Sequence, residues 1–307
     1  MVFVIVYTSH SLGLFAGMDR ILQDRLQGGR PVDSSLVIVA IDDESLQKIG
    51  QWPWPRLEFA KVISSLNQVA PARLGIDVMF AEDSRLGQAD DLALETALSQ
   101  ANYPVVLPVE ALDLKLSNGT PTSTRLTKTK PQFTNKPVVL GHINLITDPD
   151  NVVRLYPHII FDSSGNSIPS FGRLMAGREI DENELLVRSI VYAGAPGSVT
   201  RIPFWQVANG ERLSELAGKK VLIGATAADL QDTQSTPVSF GTKMPGVEIQ
   251  SNIANMILQN WSLHEVSPWQ MLFFIFIASF LPLLWFFLFR RTWLVLIVSL
   301  VSGIVAI

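Results

Sequence analysis

Between Pro268 and Phe289 the chain reads PWQMLFFIFIASFLPLLWFFLF, 22 residues without a charge. As a helix this segment is about 33 Å long, enough for a bilayer core of roughly 30 Å. Phe, Leu and Trp cover every face rather than one stripe, unlike a helix packed on a soluble core. Trp269 stands near one end, as interfacial aromatics do, and Pro282 is a kink that membrane helices tolerate. The segment is expected to span a membrane. Arg290 and Arg291 follow, and then Thr292 to Ile307 (TWLVLIVSLVSGIVAI), again uncharged. This last stretch reads as the start of a further membrane helix, cut off by the end of the sequence. The positive-inside rule places the arginine pair in the cytoplasm and the chain before Pro268 outside it. Met1 to Gly17 has no Asp, Glu, Lys or Arg. It reads as an N-terminal transmembrane anchor with its start missing, since a cleaved signal peptide would carry a basic n-region.

Residues 18–267 are then one domain held at both ends. They hold all 28 Asp and Glu and 22 of the 24 Lys and Arg, the other two being Arg290 and Arg291, for a net charge of −6. An acidic domain argues against nucleic acid as a partner. The absence of cysteine excludes a disulfide scaffold, a thiolate zinc site and a cysteine nucleophile.

Met18–Gln27 is expected to be a short amphipathic helix. Leu36–Ile41 (LVIVAI), Leu74–Phe80 (LGIDVMF) and Pro104–Val109 (PVVLPV) are apolar runs of strand length, as in a sheet covered on both faces. Helical spacing falls between them, over Pro55–Val69 and Asp90–Gln100, and Pro55 suits a first helical turn. The β-α-β-α-β order predicts an α/β fold: a largely parallel sheet flanked by helices. Further strands are expected at Val138–Ile146, Val153–Phe161 (antiparallel to a neighbour), Leu186–Tyr192 and Lys220–Gly224. Helices are expected at Ser170–Ala176 and Gly246–Asn260, the latter leading towards Pro268 as a mechanical link. Asp113–Lys136 is polar and threonine-rich. It reads as a solvated surface insertion, or else as a contact with lipid headgroups.

No phosphate-binding glycine loop, G-x-S-x-G elbow or H-E-x-x-H motif occurs, and the four histidines are scattered. Two features stand out instead. The first is Gly50-Gln51-Trp52-Pro53-Trp54-Pro55-Arg56. Two prolines hold their predecessors extended, so Trp52 and Trp54 form either a plug on the sheet or the lip of a binding site. The second is a set of acids at strand ends: Asp42, Asp43 and Glu44, then Glu82 and Asp83, then Glu110, then Asp229 and Asp232. Ligands of open α/β sheets bind beyond the carboxyl ends of the strands. Asp42, Glu44, Trp52, Trp54 and Asp229 are therefore the candidate ligand-binding residues. The competing reading of the acids is ordinary capping and turn formation. Asp77, inside an apolar run, needs compensation, and Arg56 or backbone donors are the expected partners.

Several blocks together resemble a known family. They are Ala40-Ile41-Asp42-Asp43-Glu44-Ser45-Leu46, Trp52-Pro53-Trp54-Pro55-Arg56, Gly75-Ile76-Asp77-Val78 and Gly141-His142-Ile143-Asn144. Further on come Asp148-Pro149-Asp150, Val153-Arg154, Gly218-Lys219-Lys220-Val221-Leu222-Ile223-Gly224 and Met244-Pro245-Gly246-Val247-Glu248. The chain resembles the CHASE2 domain, an extracytoplasmic sensor of bacterial transmembrane receptors, over roughly Met18–Trp261. The resemblance implies an N-terminal membrane helix, an external sensor, usually three further membrane helices and a cytoplasmic cyclase or kinase output, which this sequence lacks. Where the family often has glycine after the aspartate of a turn, this chain has Asn151, which also tolerates the left-handed conformation. The expected function is that of a multi-pass sensory input module of the bacterial inner membrane. It is expected to have no enzymatic activity and no cofactor, to form a homodimer and to bind a small molecule or ion. The alternative is an extracytoplasmic metal-dependent hydrolase built on the strand-end acids.

Overall fold

The computed structural model describes residues 8, 16–135, 137–178, 185–263 and 267–289. The expected anchor at 1–17 (apart from Thr8, Ala16 and Gly17), the Arg290–Arg291 turn and the segment 292–307 lie outside the described residues. Gln27–Ser262 form one compact unit; the described parts of Met1–Leu26 and Leu263–Ile307 belong to a second.

In chain order the helices are α1 (Ala16–Arg25), α2 (Asp43–Ile49), α3 (Arg56–Leu66), α4 (Gln88–Ser99), α5 (Phe171–Ala176), α6 (Phe204–Ala208), α7 (Gly246–Leu258) and α8 (Pro268–Phe289). The strands are β1 (Leu36–Ile41), β2 (Arg73–Ile76), β3 (Val105–Ala111), β4 (Lys115–Ser117), β5 (Thr120–Thr122), β6 (Leu126–Lys128), β7 (Val138–His142) and β8 (Ile146–Thr147). They continue as β9 (Val153–Pro157), β10 (Ile159–Phe161), β11 (Ser167–Pro169), β12 (Val187–Ser189), β13 (Arg201–Pro203), β14 (Lys220–Ala225), β15 (Thr233–Gln234) and β16 (Met244–Pro245).

The main sheet runs β13-β1-β14-β2-β3, with β7 on the far side of β3, and these strands are all parallel. β6 joins antiparallel at Val109–Ala111, past the end of β2. Smaller antiparallel pairings link β8, β9 and β12, and β10 with β11. The architecture is therefore mixed α/β. Alternate residues of each strand serve opposite faces. Val37, Val39, Ile41, Leu74, Ile76 and Leu107 pack with α3, α4 and α6 on one side. Leu36, Ile38, Ala40, Val106 and Leu222 pack with α5 and α7 on the other. Because every residue of β1 is buried, its sequence shows a continuous apolar run rather than an alternation.

Two differences from expectation have physical causes. The Asp113–Lys136 segment is not wholly a solvated insertion. Ser123 Oγ and the Thr124 and Arg125 N–H groups bond Asp113, β6 adds to the main sheet, and Phe133 is buried in the core. The expected strand at Leu74–Phe80 ends at Ile76, where the chain turns into the loop that reaches α4.

Two glycines set the approach of α5 and α7. A Cβ on Gly224 would lie 2.5 Å from Val247 Cβ, and one on Gly172 would lie 2.7 Å from Ile253 Cβ. α7 is buried from Gly246 to Ile257, polar residues included. Its polar side chains clamp neighbouring backbone. Gln250 accepts from Gly172 N and donates to Ile143 O. Asn252 accepts from Ala193 N, and Asn255 accepts from Asp33 N and donates to Pro31 O.

In the second unit, α8 has the bounds read from the sequence and carries no charge. Trp269 is 80% exposed, and Phe273, Phe274, Phe276 and Phe280 are also exposed. Among the described residues no helix is long and apolar enough to cross a membrane.

Candidate functional site

The Trp52–Arg56 turn follows α2, and its shape comes from proline and aromatic packing. Trp54 is 3% exposed; its Nε1 donates to Gly50 O at 2.8 Å and its ring lies 4.8 Å from Phe204. Trp52 is half-buried, edge-on to Trp54 at 5.3 Å and to Phe59 at 6.3 Å. The two indoles thus plug the α3 side of the core, and burial rather than ligand contact explains most of their surface.

α3 begins directly after Pro55, which offers no side-chain cap. The cap comes from another helix: Asp90, in the first turn of α4, accepts from Arg56 N at 2.8 Å and Leu57 N at 2.9 Å. Ser84 Oγ also donates to Asp90, at 2.5 Å. Burial would raise the Asp90 carboxyl, but the Ser84 hydroxyl and these two N–H groups hold it below its ordinary value. The Arg56 guanidinium lies over the Phe80 ring at 4.7 Å, donates to Glu82 O at 3.2 Å, and faces Asp91 at 3.6 Å. Lys130 joins Asp83 and Asp91 from the far end of the sheet.

These contacts hold open a cleft of about 540 Å³ between the Pro53–Arg56 turn and the segment from Met79 to Leu86, with Thr127 of β6 closing one side. It lies beyond the carboxyl end of β2, where an α/β sheet places ligands. Its wall is mixed: Trp54, Pro53, Met79 and Leu86 are apolar, Ser84 and Thr127 bring hydroxyls, and the exposed Glu82 and Arg85 bring opposite charges. Such a wall suits a small amphipathic molecule, oriented by a few polar groups against an apolar floor.

The structure brings only one of the five candidate ligand residues, Trp54, to this cleft. Asp42 is the N-cap of α2, accepting from Ser45 N at 2.9 Å. Glu44 pairs with Lys48 at 3.7 Å in solvent. Asp229 lies exposed in a one-turn helix after β14. Among the described residues no group of three or more His, Asp or Glu could hold a metal ion. Ser84, Arg85, Leu86, Met79 and Thr127 carry no motif that singles them out in the sequence. The Glu82–Asp83 pair after the second apolar run is the one signal that points to that loop.

The expected Arg56–Asp77 pair is corrected: Arg56 is held by Asp91 and Glu82 O, and Asp77 has no side-chain hydrogen-bond partner among the described residues. Instead Asp77 faces a second acid, Asp232, whose carboxylate lies where a Cβ on Gly246 would be, within 3.0 Å. Burial, with the charge of Asp232, pushes the Asp77 carboxyl up to about 8. A raised folded pKa means that this group favours the fold fully below its unfolded value near 4, and the benefit is lost as pH rises towards 8. Asp77→Asn, which stays neutral, is expected to match the parent at pH 4 and to be the more stable protein at pH 8. At about 1.4 kcal/mol per pKa unit, even part of that displacement is measurable by thermal unfolding across the range. Equal stability of the two proteins at pH 8 would refute the assignment.

Other motif residues prove to be framework. Arg154 donates to Asp148 at 2.7 Å and Asp150 at 2.9 Å across the turn in which Asn151 has φ +61°, the left-handed conformation expected of it. Glu248, in the first turn of α7, accepts from the Gly197 and Val199 N–H groups and pairs with Arg201.

No curated protein and no solved structure matches the chain. The family model described as the CHASE2 domain matches residues 1–286. Both specific blocks of sequence, the Trp-Pro-Trp-Pro-Arg turn and the start of α7, fall inside that span and shape the two faces of the sheet. The chain belongs to the CHASE2 family of sensory domains.

Proposed function

We propose that this chain is the extracytoplasmic, membrane-anchored input module of a bacterial signalling receptor. In this reading a small molecule binds the cleft beside the Trp52–Arg56 turn, and the change is relayed through α7 to membrane helices and a cytoplasmic output. The observation that carries it is α7, buried on all sides, hydrogen-bonded to five separate stretches of backbone, and followed within ten residues by the uncharged α8. We take the active unit to be a homodimer, as paired spans can rotate or slide against each other. The hydrolase reading has little geometric support, because Asp42, Glu44 and Asp229 serve as cap, surface ion pair and exposed turn.

Two tests bear on this. An alkaline phosphatase fusion at Asn260 is expected to be active in cells and one after Arg291 inactive; the reverse pattern would overturn the topology. For the cleft, the full chain in nanodiscs is screened by thermal shift against small amphipathic metabolites and ions, beside a phosphoesterase assay. A ligand that stabilises the parent should bind Leu86→Trp or Thr127→Trp at least tenfold more weakly, about 1.4 kcal/mol. Undiminished binding by both variants would remove the cleft as the site. Turnover abolished by Asp42→Asn would favour the enzyme.

A further inference from the structure

We infer that the turn Thr236–Lys243 is a lipid-contacting foot, seating the sensor domain on the surface of its own membrane through Phe240 and Lys243. Phe240 is 85% exposed, while Val238, two residues earlier, is buried. The turn is held rather than loose. Thr236 N donates to Ser239 Oγ and Ser239 N to Thr236 O, while Thr242 N donates to Ser239 O at 2.8 Å. Phe240 itself has φ +39°, a backbone conformation that bulky side chains avoid. A phenyl ring held in water on a left-handed backbone costs the domain free energy, and a contact outside the domain would offset that cost.

The position says what that contact is. Val238 Cγ1 would lie 3.4 Å from a Cβ on Gly28, so the turn is rooted on the first residues of the compact unit, where the chain arrives from its N-terminal apolar segment. Those residues are fixed in turn: Gly28 N bonds Tyr192 O, and Gln27 bonds Ile190 O and Tyr192 N. The Arg30 guanidinium lies over the ring of Trp261 at 5.8 Å, and Trp261 is where the chain leaves towards α8. Both chain exits and the Phe240 turn thus share one side of the Gln27–Ser262 unit. An exposed aromatic with a lysine three residues on is the chemistry of the headgroup and acyl boundary: ring into the apolar layer, ammonium to the phosphates. The inference rests on the reading that the flanking segments are membrane-inserted.

The chain has no cysteine, so single cysteines can be labelled uniquely. Full-length Phe240→Cys, Lys243→Cys, Leu116→Cys (the exposed β4–β5 hairpin) and Leu281→Cys (in α8) are each labelled with an environment-sensitive fluorophore. They are reconstituted in nanodiscs of phosphatidylethanolamine and phosphatidylglycerol, with or without lipid spin-labelled near the headgroup (read at 240, 243 and 116) or deep in the acyl chain (read at 281). Quenching by the spin label is expected to be about twofold or more stronger at 240 and 243 than at 116. Quenching at 281 with none at 240 and 243 would overturn the foot and leave the anchors standing. Shielding of 240 from a soluble quencher without lipid quenching would point to a second copy of the chain and overturn it as well. Absence of quenching at 281 would overturn the membrane reading and this inference with it.

Discussion

Glu248→Ala is expected to be the most damaging single substitution in the domain. The Glu248 side chain is 0% exposed, and the loop that precedes β13 is built around its carboxylate. Gly197 N lies 2.9 Å from one oxygen and 3.0 Å from the other, Val199 N lies at 3.3 Å, and Arg201 completes the pair. Removing the carboxylate leaves two N–H groups and a guanidinium without their acceptor at a buried position. Breaking a buried pair by deleting one partner costs roughly 3–5 kcal/mol. Arg201 retains some access to water, which sets the expectation towards the lower end. Glu248→Gln keeps an acceptor for one N–H and should lose clearly less. Urea unfolding of the three proteins measures the differences. A Glu248→Ala protein within about 1 kcal/mol of the parent would mean that the loop holds itself without the carboxylate, since a single net hydrogen bond is worth that much.

The importance of Glu248 was only partly legible in the sequence, and the reason is general to α7. Val247, Ile249, Ile253, Met256 and Ile257 have helical spacing, which predicts one apolar face. The opposite face, with Glu248, Gln250, Asn252 and Asn255, is buried too. Its polar groups are satisfied by the backbone of loops up to 224 residues distant in sequence, and no periodicity can reveal that. The same separation explains Arg56. Asp77, an acid inside an apolar run, is the partner that the sequence suggests, but Asp91 reaches Arg56 because Asp90 caps α3 across helices. By contrast β1, α3, β14 and the parallel order of the sheet were legible, since apolar runs and helical spacing are local signals of burial. The cleft fell between the two cases. Its floor, the Trp-Pro-Trp-Pro-Arg turn, stands out by composition, whereas its opposite wall, Met79 to Leu86, is an ordinary polar loop made into a wall by the bonds of Ser84 to Asp90 and Asp91.

A flexible Gly-Ser segment inserted between Trp261 and Pro268, in an intact receptor carrying an output domain, is expected to abolish ligand control while leaving ligand binding in place. A signal that begins outside a membrane must pass through backbone that crosses it. α7 suits the first part of that path because its clamps make it report on a whole face of the sheet. Gln250 holds α5 and the residue after β7, Asn252 holds the segment at Ala193 between β12 and β13, and Asn255 holds the residues before β1. Gly224 and Gly172 let α7 pack so closely that no side chain could cushion a movement of β14 or α5. Trp261 is tied back as well, its N–H donating to Met256 O at 2.8 Å, so α7 and the residue that ends its exit turn form one piece. Six residues then separate Trp261 from Pro268. Allosteric coupling between sites is commonly 5- to 150-fold in affinity or population, about 1–3 kcal/mol. A flexible insert lets α7 move without moving the membrane helices beyond it, so a ligand effect of that order should fall to about onefold. Thermal-shift titration of the same protein should give the parent's affinity, because the cleft and α7 are untouched. Ligand control that persists through a long insert would show that the signal leaves the domain elsewhere, and the helix α1 at the N-terminal exit would take the place of α7 in the mechanism.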